Sequence, residues 1–452
     1  MEQLEFHKGN ESALMEKKEN RQLHKGSLYH CLDTKNTFFA ISGDELDRYS
    51  SAVGWQSASQ GEVFNDYENN RAEGQFSHAE GISTKAKSNG AHTEGESTIA
   101  YTVGSHAEGK STQAGGKSAS DINSNGSYAH AEGVNSIAYA RGSHAEGDST
   151  LANGRYSHAE GGGCQALGDY SHAEGCNNGN TKTTSSGEGA HAEGRGTVSS
   201  GSGSHSEGVG TTASKEASHA EGIGTTASGV GSHAEGCNDG SFSTIARGQG
   251  SHAEGMGTQS TGNGSHAEGK STTASGVASH AEGNGSQTDG QAAHAEGETT
   301  KAYGNGAHAE GKNTVAGTTD RSKIGAHAEG FESQALNSSA HAEGYNTRAT
   351  GDASHSEGNN TIAHGKGAHA EGFESMAGAK KILNEDKVSF TISYSSDSNG
   401  AHAEGVYAAA FASGSHAEGM LTYAEGSYSH AEGNTTRALG QNSHAEGFNT
   451  VA

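Results

Sequence analysis

Histidine and glutamate recur along this chain at one fixed spacing. Of its 28 histidines, 24 open the tetrapeptide H-x-E-G, in which the third residue is always Glu and the fourth always Gly. The second is Ala except at Thr93, Ser206 and Ser356, and Ser or Ala always precedes the histidine. The pairs His78 and Glu80, His106 and Glu108, His144 and Glu146, His172 and Glu174, His219 and Glu221, His266 and Glu268, His308 and Glu310, His341 and Glu343, His416 and Glu418, and His444 and Glu446 stand for the series. An imidazole two residues from a carboxylate could do three things. It could act as a general base oriented by the carboxylate, bind a metal, or hydrogen-bond to the carboxylate.

Catalysis fails on multiplicity. An active site is needed once, and no Ser, Cys or Asp nucleophile recurs in a special place beside the motif. No catalytic residue is assigned, and the chain is not expected to be an enzyme. A dication on every rung, about 4.8 Å from the next, would meet strong mutual repulsion. One or two occupied rungs stay open, but no metal ligand or cofactor is assigned. The preferred reading is a structural polar ladder, in which His donates to Glu of its own or a neighbouring chain and each rung closes on itself. Such a ring satisfies buried polar groups and pins a register that Ala-rich strands would let slip. Protonating every motif histidine would nearly cancel the formal charge of −25. The bland alternative is a solvated His/Glu face, kept uniform by repeat duplication.

What positions the pairs is the repeat around them. Consecutive motif histidines lie 14 residues apart in 18 of 23 intervals. Each 14-mer is two heptads of the form x-A-x-G-x-x-[ST], as in HAEGDST and LANGRYS from His144 to Ser157. The half-unit recurs as IAYARGS from Ile137, IARGQGS from Ile245 and RALGQNS from Arg437, and earlier as SAVGWQS from Ser51 and RAEGQFS from Arg71. A helix is disfavoured, because each interior Gly costs about 1 kcal/mol and Ser and Thr prefer turns and strands. A short strand, a Gly free to take φ > 0 and a polar corner fit each heptad. Two strands and two turns then make one coil of a parallel β-solenoid. At about 4.8 Å per coil, the 23 intervals predict a shaft of roughly 110 Å. Alternation sends Ala with Ser or Thr into a thin interior and His with Glu onto the opposite face. So small a core predicts reinforcement by oligomerisation.

Composition narrows the field. Gly supplies 71 of 452 residues, Pro is absent, and 30% of residues are hydrophobic, too few for conventional cores. Low hydropathy with net negative charge would indicate disorder, but a strict repeat overrides that prior. The acidic balance argues against a nucleic-acid partner, and no apolar run is long enough for membrane insertion. The first twenty residues hold no apolar stretch, so a Sec-type signal peptide is not expected. Cys31, Cys164, Cys176 and Cys237 form no metal-ligand pairs and are expected to be reduced.

The paired heptads resemble the head repeats of trimeric autotransporter adhesins, the YadA-like left-handed β-roll, over about 400 residues. That family carries apolar residues beside the Ala, where this chain has His and Glu. The H-A-E-G version is similar to repeats of bacteriophage tail fibres and neck appendages. The resemblance implies an all-β parallel β-roll assembled as a parallel homotrimer. It implies a structural fibre of a phage tail or neck appendage, projecting toward the host surface. A bacterial surface adhesin head is the alternative, and a fibre of a phage-like injection system the second. The implied partners are further copies of the chain, tail or baseplate proteins through the N-terminal segment, and a host surface receptor, with a glycan among the candidates. The implied location is the virion, assembled in the host cytoplasm, or, for the alternative, the bacterial cell surface.

Residues 1–50 stand outside the repeat, and 51–452 form the shaft. Ser27–Leu32 and Thr37–Ile41 flank a turn at Asp33–Asn36 and predict a β-hairpin. It is similar to hairpin modules near the start of phage tail fibres, which implies attachment; a cap on the first coil is the alternative. Five intervals are long: 24 residues after His106, 19 after His172, His233 and His308, and 33 after His369. With flanking heptads in register, these are expected to be loops extruded from intact coils. Within the longest, Lys381, Leu383, Val388, Phe390, Ile392 and Tyr394 are candidate contact residues of a projecting hairpin over 379–397; a brace on the shaft is the other reading. The last residues, Phe448–Ala452, stop in mid-repeat with nothing capping the last coil, so either the repeat itself or a further domain is expected to continue beyond them.

Overall fold

A computed structural model describes residues 70–116, 127–238, 240, 242–320, 322–383 and 390–452, together with the backbone of Phe6–Gly9, Leu28–Cys31, Thr37–Ser42 and Glu45–Arg48. The chain divides into two compact units, Met1–His172 and Ala173–Ala452. Among the described residues there is no helix. In each unit the described repeat residues form a parallel β-solenoid of 14-residue coils.

The coil that begins at His144 shows the construction. Its motif strand, His144–Asp148, pairs in parallel with His130–Val134 and His158–Gly162, His against His and Gly against Gly. Its short strand, Leu151–Ala152, pairs with Ile137–Ala138 and Gln165–Ala166. Corners at Ser149 and Tyr156 turn through the left-handed region, with φ of 59° and 55°. They too are bonded coil to coil: the Ser149 amide donates to the Val134 carbonyl at 2.7 Å and the Tyr156 amide to Arg141 at 2.9 Å. The Ser157 hydroxyl donates to the Gly154 carbonyl at 2.7 Å, closing the corner from inside. Ser171, Ser204 and Ser265 do the same, which gives the residue before the motif its preference for Ser.

Ala145, Thr150, Ala152 and Ser157 face inward and are buried, while His144 and Glu146 share the outer face. At about 0.8 kcal/mol per buried carbon, three methyl groups per coil give only a few kcal/mol. The interior is thin, as expected, and the backbone ladders carry much of the cohesion.

The two heptads are not equivalent, which corrects the symmetrical reading of the sequence. The motif strand has five residues and the other has two. Of the two glycine positions that the paired x-A-x-G heptads supply, the motif glycines take positive φ, from 100° to 123°, whereas Gly154 in the other heptad does not. Gly154 serves close approach instead, since a Cβ there would stand 1.8 Å from the Gly168 carbonyl oxygen.

Long intervals leave the ladder intact. His106 pairs with His130, His233 with His252, His308 with His327 and His369 with His402. The insertions use two exits. Those after Gln113–Ala114, Val315–Ala316 and Met376–Ala377 leave through Gly115, Gly317 and Gly378, with φ of 78° to 80°. Those after Cys176 and Cys237 leave at the end of the motif strand, where the hydroxyls of Thr183 and Thr244 donate back to the cysteine carbonyls at 2.8 and 2.7 Å.

The described base of the longest insertion packs against the coils. Ala379–Leu383 and Phe390–Tyr394 form an antiparallel pair. Ile392 packs on Ile362, Met376 and Ala379. The Tyr394 ring lies 4.6 Å from that of His364. Lys380 bonds to Glu425 at 3.0 Å and lies 4.3 Å from the Phe411 ring centre; Lys381 pairs with Glu374. Lys380, Lys381, Ile392 and Tyr394 therefore fasten the base of the hairpin to coils on both sides of it, the kind of contact that the brace reading expects. Val388 and the 384–386 turn lie outside the described residues, as do the side chains of Leu383 and Phe390. Deleting Lys380 to Ser396 should lower the melting temperature by a few degrees, because Ile362 and Met376 lose cover worth about 1–3 kcal/mol. Hydrogen exchange should still find the His369 and His402 strands paired; loss of protection throughout the second unit would contradict this.

The N-terminal strands form one sheet. Phe6–Gly9 runs parallel to Leu28–Cys31, which pairs antiparallel with Thr37–Ser42, and Glu45–Arg48 completes the order. Residues 51–69, including the SAVGWQS half-unit, lie outside the described residues.

Candidate functional site: the histidine and glutamate ladder

Parallel pairing in register places like over like. In the first unit the imidazoles of His92, His106, His130, His144, His158 and His172 stack with centroids 4.6–4.9 Å apart and planes within 22°. The second unit repeats this, as between His252 and His266 at 4.8 Å and His341 and His355 at 4.7 Å. Some pairs turn out of the stack: His78 and His92 meet at 61°, and His280 and His294 at 68°. The spacing is simply that of neighbouring strands in a sheet.

Each glutamate shares its histidine's face. The Nε2 to Oε2 separation is 3.9 Å for His78 and Glu80, 3.8 Å for His106 and Glu108, and 3.5 Å for His219 and Glu221. It is 3.8 Å for His308 and Glu310, 3.9 Å for His341 and Glu343, 3.8 Å for His416 and Glu418, and 3.7 Å for His444 and Glu446. His144 and Glu146, His172 and Glu174, and His266 and Glu268 occupy the same positions in their strands. All seven distances exceed hydrogen-bond reach. In these seven pairs the expected bond from His to the Glu of its own chain is therefore not made.

The imidazoles are only half-covered, yet Nε2 itself is shielded from water in His106, His130, His144, His219 and His266, with no hydrogen-bond partner in the chain. Burial first, and the neighbouring histidines second, lower the pKa of His144, His219 and His266 from 6.5. For His130 the same causes bring it to about 4. At neutral pH the rings of His130, His144, His219 and His266 are thus uncharged, each beside the glutamate of its own strand.

The short-strand face differs. Its outward positions hold Ile137 and Tyr139, Leu151 and Asn153, or Ile245 and Arg247, with no uniform chemistry. Sequence reasoning found the ladder but missed the two insertion exits. A signal existed, since Ala-Gly follows the short strand at all three exits of one kind and Cys-Asn marks both of the other. Of the cysteines described, Cys164 is buried, Cys176 exposed and Cys237 intermediate. No known family model and no curated protein matches this chain.

Proposed function

We propose that this chain is the shaft of a phage tail or neck fibre, a parallel homotrimer whose three motif-strand faces meet at the axis. The observation that carries it is the contrast between the faces. One presents the same His and Glu on every motif strand, with Nε2 shielded and without a partner in the chain at His106, His130, His144, His219 and His266, and the other varies freely. A position held constant through every coil meets a constant environment, which a symmetric partner supplies and solvent does not require. Across the axis, Glu of one chain receives the donor that its own histidine is too far away to give. The shaft acts mechanically and not as an enzyme. Its N-terminal segment docks to tail or baseplate proteins, and its far end is turned to a host receptor.

Mass photometry at nanomolar concentration should find three chains per particle; a stable single chain would sink the trimer. In a mid-shaft rung, His266→Ala should cost about 3–5 kcal/mol by stranding buried Glu268 carboxylates. His266→Val with Glu268→Ile should be far milder, since both partners are removed together. A silent single change with an aggregating double change would mean the face is solvated. An antibody to the chain should decorate the tail or neck of intact particles; decoration of a bacterial envelope instead would favour the adhesin.

A further inference from the structure

The geometry points to divalent transition-metal sites on the ladder, each made by motif histidines of two adjacent coils and the glutamate between them, and filled at every second coil. In the first unit, His130, Glu132 and His144 offer ligand atoms all within 4.8 Å of one another, and so do His144, Glu146 and His158. Nε2 of each of these three histidines is shielded from water and without a partner in the chain. Two imidazoles and one carboxylate suit zinc, nickel or copper ions better than magnesium or calcium.

The resting geometry is close but not yet ligating. His130 and His144, and His144 and His158, stack at 4.7 Å with planes 18° and 7° apart, so their nitrogens point side by side. Metal–nitrogen bonds of about 2.0–2.1 Å require one ring of each pair to turn. The ladder accommodates such turns, as the 61° pair of His78 and His92 shows. Sharing then sets the occupancy. His144 belongs to two groups, so filling one takes a ligand from the next. Ions at alternate coils stand about 10 Å apart, with a carboxylate on each, and the repulsion that opposes a fully loaded column is much reduced. The sites are complete within one chain; where an ion sits, it takes the Nε2 that would otherwise donate to a glutamate across the axis.

The test titrates Zn²⁺ and Ni²⁺ into the chelator-treated full chain at pH 7.5 by calorimetry, with Mg²⁺ as the comparison. Binding should saturate near one ion per two motif histidines, and Cu²⁺ should give an electron paramagnetic resonance signature of two nitrogens per ion. A variant with every second motif histidine changed to Gln keeps half the imidazoles but no adjacent pair. Its affinity should fall by more than the ~10–100-fold that losing an outer-shell partner alone costs. Saturation at one ion per histidine, equal binding of Mg²⁺, or unchanged affinity in that variant would overturn the proposal. Should the variant fail to fold, the parent's stoichiometry and nitrogen count decide.

Discussion

Taking the pH from 7 down to 4.5 is expected to cost this protein more stability than any single substitution. Nine motif histidines, His92, His130, His144, His191, His219, His233, His266, His341 and His402, have their pKa pushed below 6.5, in every case by burial first and then by neighbouring histidines. For His130, His106 and His144 add repulsion, while Glu108 and Glu146 pull the other way and lose. The sign follows from linkage. The folded state resists the proton that the unfolded chain accepts near 6.5, so the unfolded state binds more protons at intermediate pH. Stability is whole above about 6.5 and falls as the pH drops toward the folded value, about 4 for His130. Melting temperatures at half-unit steps from pH 7 to 5 check this before most carboxylates titrate. The expected curve falls throughout. A flat curve would mean that the rings are solvated. Changing His130, His144 and His266 together to Gln should reduce the slope.

The second large effect belongs to the motif glycine. Gly269 has φ of 104°, and a Cβ built on it would lie 2.2 Å from the carbonyl oxygen of Gly283 on the next coil. Gly269→Ala therefore meets a disfavoured backbone conformation, worth about 1–3 kcal/mol, and a contact that only moving the ladder relieves. A loss above about 3 kcal/mol is expected, concentrated locally because coils touch only their neighbours. Hydrogen exchange should show lost protection at His266–Lys270 and His280–Asn284, with distant coils unaffected. Gly264→Ala is the control: it also has positive φ, 63°, but a Cβ there meets nothing within 4 Å. Equal effects of the two substitutions would remove the steric argument.

Much of the fold was legible because the repeat averages out local ambiguity. One heptad is a weak strand signal, but a register kept from His78 to His444 leaves few alternatives to a solenoid. Alternation alone put Ala145 inside and His144 with Glu146 outside. The corners were less legible. Tyr156, Ala217 and Leu421 turn through positive φ, a conformation their residue types do not announce and which the coil-to-coil hydrogen bonds enforce. The brace was illegible for another reason. Its strand pattern at Phe390–Tyr394 was plain, but which way the hairpin falls depends on Ile392 meeting Ile362, a contact between segments separated in sequence. Likewise the His to Glu spacing showed that the pair share a face, whereas the gap of 3.5–3.9 Å is a matter of rotamer and strand spacing.

Gly378 has a consequence for how such a chain can change. The Ser395 amide donates to its carbonyl at 2.9 Å, so the detour that leaves at this glycine returns to the point of departure. The coil registers the two ends and is indifferent to what lies between them. Lengthening a detour whose ends are already pinned costs only about 0.6 kcal/mol per doubling. The same glycine corner occurs at Gly115 and Gly317, and in each case the next coil resumes its place. These corners are grafting ports: a foreign segment entered as Ala-Gly and returned to the short-strand edge should ride on the solenoid without altering its pitch.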